Sequence, residues 1–278
     1  MTPGEHLGSE PWAVLGGGGL KGLAHAGAWQ ALEEAGVELR GIVGTSIGAL
    51  VGVCLAGGMG WRDLVPRALA LEKKDIVQVN RRAVWINGVK APSLYRGDVL
   101  RDYIDSLLPV RRWDELRFPV QVNAVDLETG RTEWFGTGAR TDASPLDAVC
   151  ASASLPVLYP PVSIDGAHLV DGGAGDALSL RRAADLGATG IVAVDVGSDQ
   201  EDDADAVVGL GMVAIHDRVF SIMSGRRRRE QVAAWEDPPL VYVRPHLVGY
   251  SGFDFDSVRY FLTEGYRATK RTLAQIGG

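Results

Sequence analysis

The stretch Arg40–Ala56, RGIVGTSIGALVGVCLA, decides the fold. A short apolar run at 41–43 leads through the turn sequence GTSIG at 44–48 into a run of small and apolar residues. This order predicts a buried strand, a sharp corner and a helix, with Ser46 at the corner. Glycines two positions before and after a serine are typical of the nucleophile elbow, in which a tight turn pushes the hydroxyl out of the sheet. The following helix would aim backbone N–H groups at negative charge developing there.

The elbow motif is short, and the chain contains 36 glycines, so other parts of a site are needed before it predicts an enzyme. The uncharged segment 41–61 is also about as long as a helix that crosses a bilayer. Its many glycines are poor for a single lipid-facing helix and favour a strand, a turn and a helix in a protein core. We therefore interpret the segment as part of a folded domain.

Composition favours one large α/β domain. The 278 residues are 46% hydrophobic and 23% charged, and no low-complexity linker divides them. A net charge of -7 argues against nucleic acid as a ligand. The cysteines are Cys54 and Cys150, which we interpret as buried thiols in a reducing compartment. Residues 1–11 lack the pattern of a signal peptide, so we expect a cytoplasmic protein.

The order of predicted elements indicates a mainly parallel sheet. An apolar run, Trp12–Leu15, leads through a glycine loop into a predicted helix over Leu23–Ala35, and then into the strand and elbow. Alternating strands and helices predict parallel strands joined by right-handed crossovers, with helices on both faces. Sites in such folds lie at the carboxyl ends of the strands, where the glycine loop and Ser46 both fall.

Two further segments each allow two interpretations. Lys73–Arg96 mixes apolar residues and arginines without a clear period, and we interpret it as a candidate acyl-binding lid, with a packed loop as the alternative. Between Val208 and Ile222, apolar residues recur every three or four positions. We expect this helix to pack on the protein's own core. The alternative is peripheral lipid or partner binding, with Arg226–Arg229 on anionic headgroups.

A serine hydroxyl becomes a strong nucleophile only when a base accepts its proton. The chain order of common α/β-hydrolases would select His246, with Asp171 or Asp195 as the acid. The other candidate base is Asp171 itself, which follows a predicted hairpin turn at 165–166. Desolvation raises the pKa of a carboxylate and makes it a better base. The residues alone leave both bases open.

The run GGGLKG at 17–22 satisfies G-x-G-x-x-G between a predicted strand and a predicted helix. Dinucleotide binding expects an acidic residue at the end of the second strand, but that strand ends at Gly44-Thr45-Ser46. A P-loop would end in Gly-Lys-Ser/Thr, which this run lacks. The remaining interpretation is an anion site made of backbone N–H groups, which suits an oxyanion.

Three motifs in this order, GGGLKG at 17–22, GTSIG at 44–48 and DGG at 171–173, resemble the patatin-like phospholipase family. The family pattern is a G-G-G-x-[R/K]-G loop, then G-x-S-x-G, then D-G-[G/A]. The stretch from Ala151 to the aspartate also resembles the family. The similarity covers residues 11–197. We expect a single domain over 1–278, in which 198–278 form a C-terminal extension with amphipathic helices.

The resemblance implies a three-layer α/β/α sandwich with a mainly parallel central sheet, and a Ser-Asp dyad that needs no histidine. Ser46 would be the nucleophile and Asp171 the base. The oxyanion hole would comprise the amides of Gly17, Gly18 and Gly19, with Lys21 and Gly22 in the same loop. The elbow would use Gly44 and Gly48, and the turn after the base would use Gly172 and Gly173. A solvated position for Lys21 is the alternative. The implied mechanism uses no cofactor and no metal.

The implied activity is that of a serine lipid acyl hydrolase, which cleaves lipid carboxylic esters through an acyl-enzyme. Its partner would be a lipid or fatty-acyl ester, with no nucleic acid, and peripheral contact at the inner membrane surface is a further expectation. Two alternatives stay open. One is a soluble esterase or acyl-thioesterase, and the other is a non-catalytic interaction protein on the same fold. The sequence predicts no particular oligomeric state.

Overall fold

The computed structural model describes residues 2–197 and 203–277 as a central sheet with helices on both faces. The strands are β1 (Pro11–Leu15), β2 (Gly41–Gly44), β3 (Val120–Asp126), β4 (Thr132–Gly136), β5 (Val162–Ile164), β6 (Ala167–Asp171), β7 (Gly190–Val194) and β8 (Leu240–Val243). The helices are α1 (Pro3–Leu7), α2 (Ala24–Glu34), α3 (Ile47–Ala56), α4 (Trp61–Ala70), α5 (Lys73–Ile76), α6 (Arg81–Asn87), α7 (Gly97–Leu107), α8 (Pro145–Ser152), α9 (Leu180–Asp185), α10 (Ala204–Gly209), α11 (Met212–Ala233) and α12 (Val258–Gly277).

The sheet order is β5-β6-β3-β2-β1-β7-β8, with β4 paired to β3. Strands β3, β2, β1, β7 and β8 run parallel to their neighbours in this order. Strands β4, β5 and β6 join by antiparallel pairing. This confirms the predicted α/β class with a mainly parallel central sheet.

Strand β3 brings the ends of two other strands together. β4 pairs along one edge of β3 from Gln121 to Val125, so β2 and β6 must share the opposite edge. β2 runs parallel to β3 and ends at Gly44 opposite Val122, whereas β6 runs antiparallel and ends at Asp171 opposite Ala124. The carboxyl ends of β2 and β6 therefore meet head to head beside β3.

Alternating side chains divide the interior into two cores, as the period of a strand requires. In β1, Ala13 and Leu15 join the larger core, whereas Trp12 and Val14 join the smaller one. Helices α2, α3, α8 and α12 contribute to the larger core, and α9 contributes to the smaller one. The sheet thus forms the middle of three layers.

The residues after 203 add β8 to the sheet edge and α12 against α2, so they share the sheet and core of the preceding residues. Their assignment as an extension of one domain stays a prediction. Residues 198–202, which open the predicted extension, lie outside the described part of the chain.

The apolar stripe predicted on one helix between Val208 and Ile222 is divided between α10 and α11, and the expectation that it packs on the protein's own core is wrong. Met212 is 73% exposed, and Ile215, Val219 and Ile222 are 40–49% exposed. The helix instead turns Phe220, Gly225 and Arg228 toward the protein, and Gly225 and Arg228 are buried. Periodicity identifies a stripe, but it does not reveal which face of the helix is covered.

The uncharged segment 41–61 forms β2 and the ten-residue helix α3, as interpreted from its glycines. Across the described residues, no helix combines the length and apolar character needed to span a bilayer. In the segment Lys73–Arg96, Ile76 is buried while Trp85 and Ile86 are 87% and 61% exposed. A lid function for this segment stays a prediction.

Candidate active site

The predicted elbow has the expected backbone. Ser46 lies between β2 and α3 with φ 55° and ψ -122°, a conformation that is rare for residues other than glycine. A Cβ atom on Gly48 would lie 2.1 Å from the Leu15 carbonyl oxygen, and one on Gly44 would lie 2.6 Å from Ala49 Cα. The two flanking glycines therefore allow the corner to sit against β1 and α3.

Asp171, at the end of β6, lies beside Ser46 in a desolvated position. It is 3% exposed, and one carboxylate oxygen accepts a 2.7 Å hydrogen bond from the Gly173 N–H. Burial raises the pKa of Asp171 from 3.8 to about 6, and hydrogen bonding from the Ser46 side chain and the Gly173 N–H opposes part of that rise. The carboxylate is therefore poorly hydrated and still ionised at neutral pH.

The glycine loop offers two backbone donors rather than the three predicted. The Gly17 N–H already donates to the Ala177 carbonyl at 3.0 Å, so the prediction for this amide is wrong. For the N–H groups of Gly18 and Gly19, no acceptor is present among the described residues, and both glycines line the cavity beside Ser46. The acceptor, Ala177, lies in the loop between β6 and α9, and motif spacing does not reveal its approach to Gly17.

The other residues predicted for the glycine loop and for the turn after Asp171 are in close contact with the surrounding protein. Lys21 is 6% exposed and lines the same cavity, so the alternative of a solvated loop residue is wrong. A Cβ atom on Gly22 would lie 2.0 Å from a methyl group of Ile47, so this glycine lets the loop approach α3. Gly172 is buried against Asn123, whose side-chain amide donates to the Gly172 carbonyl at 3.4 Å.

The histidine alternative does not fit this geometry. All five histidines lie within the described residues, and none of them lines the cavity. His246 is exposed, and Asp195, its possible acid, forms an ion pair with Arg228. His25 is buried, its Nε2 bonds the Gly16 carbonyl at 2.9 Å, and burial lowers its pKa to about 4.

A cavity of about 530 Å³ adjoins Ser46, Asp171 and the glycine loop. One wall is apolar and comes from α3, α4, α5 and α7, and it includes Leu50, Val51, Leu64, Ile76, Ile104 and Leu107. The opposite wall comes from α10 and α11 and from the loop at 249–253. Ligand pockets of roughly 300–1,000 Å³ are usual in proteins, so this volume suits one small lipid chain or acyl group.

Sequence reasoning missed several residues that shape this site. The buried Ser152 accepts the Ser46 N–H at 2.8 Å and so fixes the corner. Phe220 of α11 approaches Gly173, and the Gly252 carbonyl accepts the Leu20 N–H at 2.8 Å. Ser152 belongs to a stretch quoted for the resemblance, but no motif pointed to Phe220 or Gly252.

A family model described as patatin-like phospholipase matches residues 13–184, which contain the glycine loop, the elbow and Asp171. The chain belongs to the patatin-like phospholipase family. This confirms the resemblance seen in the three motifs. The match to the family model covers most of the chain, and α10, α11, β8 and α12 lie beyond the matched residues.

The chain is also similar to parts of longer proteins. An uncharacterised NTE family protein of Mycobacterium tuberculosis is 32% identical over 184 residues, which cover 66% of this chain and 48% of that protein. Lysophospholipase nte1 of Aspergillus fumigatus is 27% identical over 288 aligned positions, which cover 95% of this chain and 18% of that protein. The chain therefore spans about half, or much less, of the length of these relatives.

The fold is also similar to that of a solved structure. The crystal structure of VipD from Legionella pneumophila aligns with a TM-score of 0.53 and 16% sequence identity, covering 96% of this chain and 67% of that chain. At this identity the likeness concerns the fold alone. Since the alignment covers 96% of this chain, it extends beyond the residues that the family model matches.

Proposed function

We propose that this chain is a serine lipid acyl hydrolase. Ser46 attacks the ester carbonyl while Asp171 accepts its proton, and the protonated Asp171 then returns that proton to the departing alcohol. The acyl group remains as an ester on Ser46. Water attacks this ester while Asp171 accepts its proton. The bond from the acyl carbon to Ser46 Oγ then breaks, Asp171 returns the proton to Ser46 Oγ, and the carboxylic acid is released.

The observation that carries the proposal is the position of Ser46 beside a buried carboxylate on the wall of an apolar cavity. A carboxylate with its ordinary pKa is a weak base at neutral pH, whereas the pKa of Asp171 is raised to about 6. A base whose pKa lies near the working pH accepts protons effectively and is still available in its ionised form.

The N–H groups of Gly18 and Gly19 are the proposed oxyanion donors. Both line the cavity beside Ser46 and have no acceptor among the residues that the structure describes. Fixed backbone donors stabilise a tetrahedral oxyanion without having to reorient during the reaction. Lys21, which is buried next to them, adds a positive charge to this side of the cavity.

A lipid acyl chain is the substrate portion that fits the apolar wall. Leu50, Val51, Leu64 and Ile104 offer aliphatic contacts and few polar groups, so they would favour a hydrocarbon chain over a sugar or peptide. The family description and the lysophospholipase name of an Aspergillus relative agree with this class of substrate.

Hydrolysis assays on Ser46→Ala and Asp171→Asn test the proposal. With a lysophospholipid and a long-chain monomeric ester as substrates, we expect both variants to lose at least about 10⁴-fold in kcat/KM. Ser163→Ala, which changes an exposed serine on β5, is the matched control and should keep full activity. Folded Ser46→Ala protein with undiminished turnover would reject the proposal.

A further inference from the structure

The outward face of α11 carries a stripe of exposed apolar side chains that lies away from the cavity. Five apolar side chains in its first twelve residues are 40–73% exposed: Met212, Ile215, Val219, Ile222 and Met223. At the pitch of an α-helix they fall within an arc of about 100° and span about 17 Å. None of the five lines the cavity. Exposed apolar patches of this kind mark interaction surfaces.

The same face becomes basic in the following turn. Arg226, Arg227 and Arg229 are exposed, and Arg226 forms an ion pair with the exposed Glu230 at 2.8 Å. Arg228 points inward and pairs with Asp195. Across α11 there are five arginines and two acidic residues, so the helix carries a net positive charge within a chain whose net charge is -7. The positive charge is therefore concentrated on the element that also exposes the apolar stripe.

The inward face of this helix belongs to the catalytic cavity. Ala214, Phe220, Ser221 and Ser224 line the cavity, and Phe220 lies against Gly173 next to Asp171. One helix thus separates the proposed catalytic residues from the exposed stripe. Whatever covers the stripe comes within a helix diameter, about 10 Å, of the cavity.

We infer that the outward face of α11 docks on an anionic lipid bilayer, with its apolar stripe in the acyl boundary and Arg226, Arg227 and Arg229 on the headgroups. Amphipathic helices with an apolar face and flanking arginines bind such surfaces. A second copy of this chain fits less well. A parallel twofold pair would set the arginines of one copy against those of the other.

The inference extends the proposed function, because docking here would present bilayer lipid next to the cavity. Vesicle flotation of the Ser46→Ala chain tests it without hydrolysis of the vesicles. Vesicles of phosphatidylcholine mixed with phosphatidylglycerol should carry the protein, and pure phosphatidylcholine should carry less. Failure to float would overturn the inference and leave the hydrolase proposal intact, since that proposal is tested with monomeric esters.

The decisive variant is Ile215→Gln/Val219→Gln/Ile222→Gln, which keeps helix-forming residues and avoids the cavity lining. We expect at least a tenfold loss of vesicle binding and, with Ser46 intact, unchanged turnover of a short-chain ester. The matched control is Leu69→Gln/Leu127→Gln/Val248→Gln, whose side chains are 42%, 55% and 49% exposed elsewhere, and it should bind like the parent.

A separate variant, Arg226→Gln/Arg229→Gln, tests the charge component. It should lower binding to the anionic vesicles by roughly fivefold for each arginine and should leave binding to pure phosphatidylcholine unchanged. Undiminished flotation of the triple glutamine variant would overturn the inference. So would a wild-type dimer in size-exclusion chromatography that this variant converts to monomer, because the stripe would then bind a second copy.

Discussion

Asp171 has opposite effects on stability and on the proposed chemistry. Its burial disfavours the charged form, which raises the pKa to about 6 and makes the carboxylate a stronger base. The same burial costs folding free energy whenever the carboxylate is ionised. The hydrogen bond from the Gly173 N–H, at 2.7 Å, limits this cost and fixes the carboxylate orientation. Both effects can be measured separately.

The pH dependence of catalysis follows from this pKa. We expect kcat/KM for a monomeric ester to rise with pH and to level off above an apparent pKa near 6, because only ionised Asp171 accepts the Ser46 proton. Below that pKa the rate should fall about tenfold per pH unit. A profile that is flat between about pH 5 and pH 8 would contradict the assignment of Asp171 as base.

Stability should show the reverse dependence. The folded-state pKa of Asp171, about 6, lies above the ordinary value of 3.8, so the folded protein holds a proton that the unfolded chain releases between these values. Stability is therefore lost as pH rises from about 4 to 6, by up to about 3 kcal/mol. Asp171→Asn should unfold at higher urea concentration than wild type at pH 7.5 and show no such gain at pH 3.5. If Asp171→Asn and wild type had the same urea midpoint as each other at pH 7.5 as well as at pH 3.5, the prediction would be contradicted.

The substitution Gly19→Ala adds a single Cβ atom to the oxyanion loop and tests the role of this loop as a donor. Gly19 has φ +61°, and an added Cβ would lie 2.4 Å from the Gly252 carbonyl oxygen. We expect Gly19→Ala to shift the loop and to lower kcat by about 10²–10³-fold, the usual effect of losing one oxyanion donor. Gly36→Ala is the control, since Gly36 has φ +66° with no atom within 4 Å of the added Cβ, and it should keep its kcat. Equal kcat values for the two variants would count against the donor role.

At the scale of elements, α11 illustrates what a sequence pattern leaves open. The period of its apolar residues correctly indicates an amphipathic helix, but the residues that contact the protein are Phe220, Gly225 and Arg228 on the other side. Within the run Arg226–Arg229, the third arginine is buried and its neighbours are exposed. A charge run on a helix divides between faces according to the helical period, and the buried partner, Asp195, is far away in the sequence.

The buried ion pair between Arg228 and Asp195 connects α11 to the residue that follows β7. Arg228 Nε lies 3.1 Å from the Asp195 carboxylate, with the two side chains 5% and 2% exposed, and Asp195 also accepts from the Tyr242 hydroxyl at 2.7 Å. We expect Arg228→Met to destabilise the protein by about 3–5 kcal/mol in urea unfolding, because it leaves a buried charge unpaired.

Adding Asp195→Asn to that variant removes the unpaired charge and should restore part of the stability. Because Arg228 positions the helix that carries Phe220, Arg228→Met should also raise KM for long-chain esters more than it lowers kcat. A double variant that is less stable than Arg228→Met alone would contradict the ion-pair account.

At the scale of the whole molecule, the motif order predicted the fold class and assigned Ser46 and Asp171 to one site. The structure places these two residues side by side. The geometry behind that proximity was not predictable. It depends on β6 running antiparallel along the edge of β3 that β2 also uses. Strand direction within a mixed sheet depends on long-range pairing, which local periodicity does not encode.

The C-terminal third was the least predictable part for a related reason. It carries no recognised motif, yet α11 and the loop at 249–253 form one wall of the cavity. Their contribution depends on contacts such as that between Gly252 and Leu20, which are distant in the sequence. The Gly17 N–H was misassigned in the same way, because its acceptor, Ala177, follows Asp171 by several positions.

The central claim is that Ser46 is a nucleophile activated by Asp171, and the most direct measurement is fluorophosphonate labelling followed by peptide mapping of the adduct. The reagent reports an activated serine without requiring the natural substrate. We expect one adduct on Ser46 in the wild-type chain, none in Ser46→Ala, and labelling of Asp171→Asn slowed by at least about 10²-fold. An adduct on another serine, such as the neighbouring Ser152, or undiminished labelling of Asp171→Asn would contradict the claim.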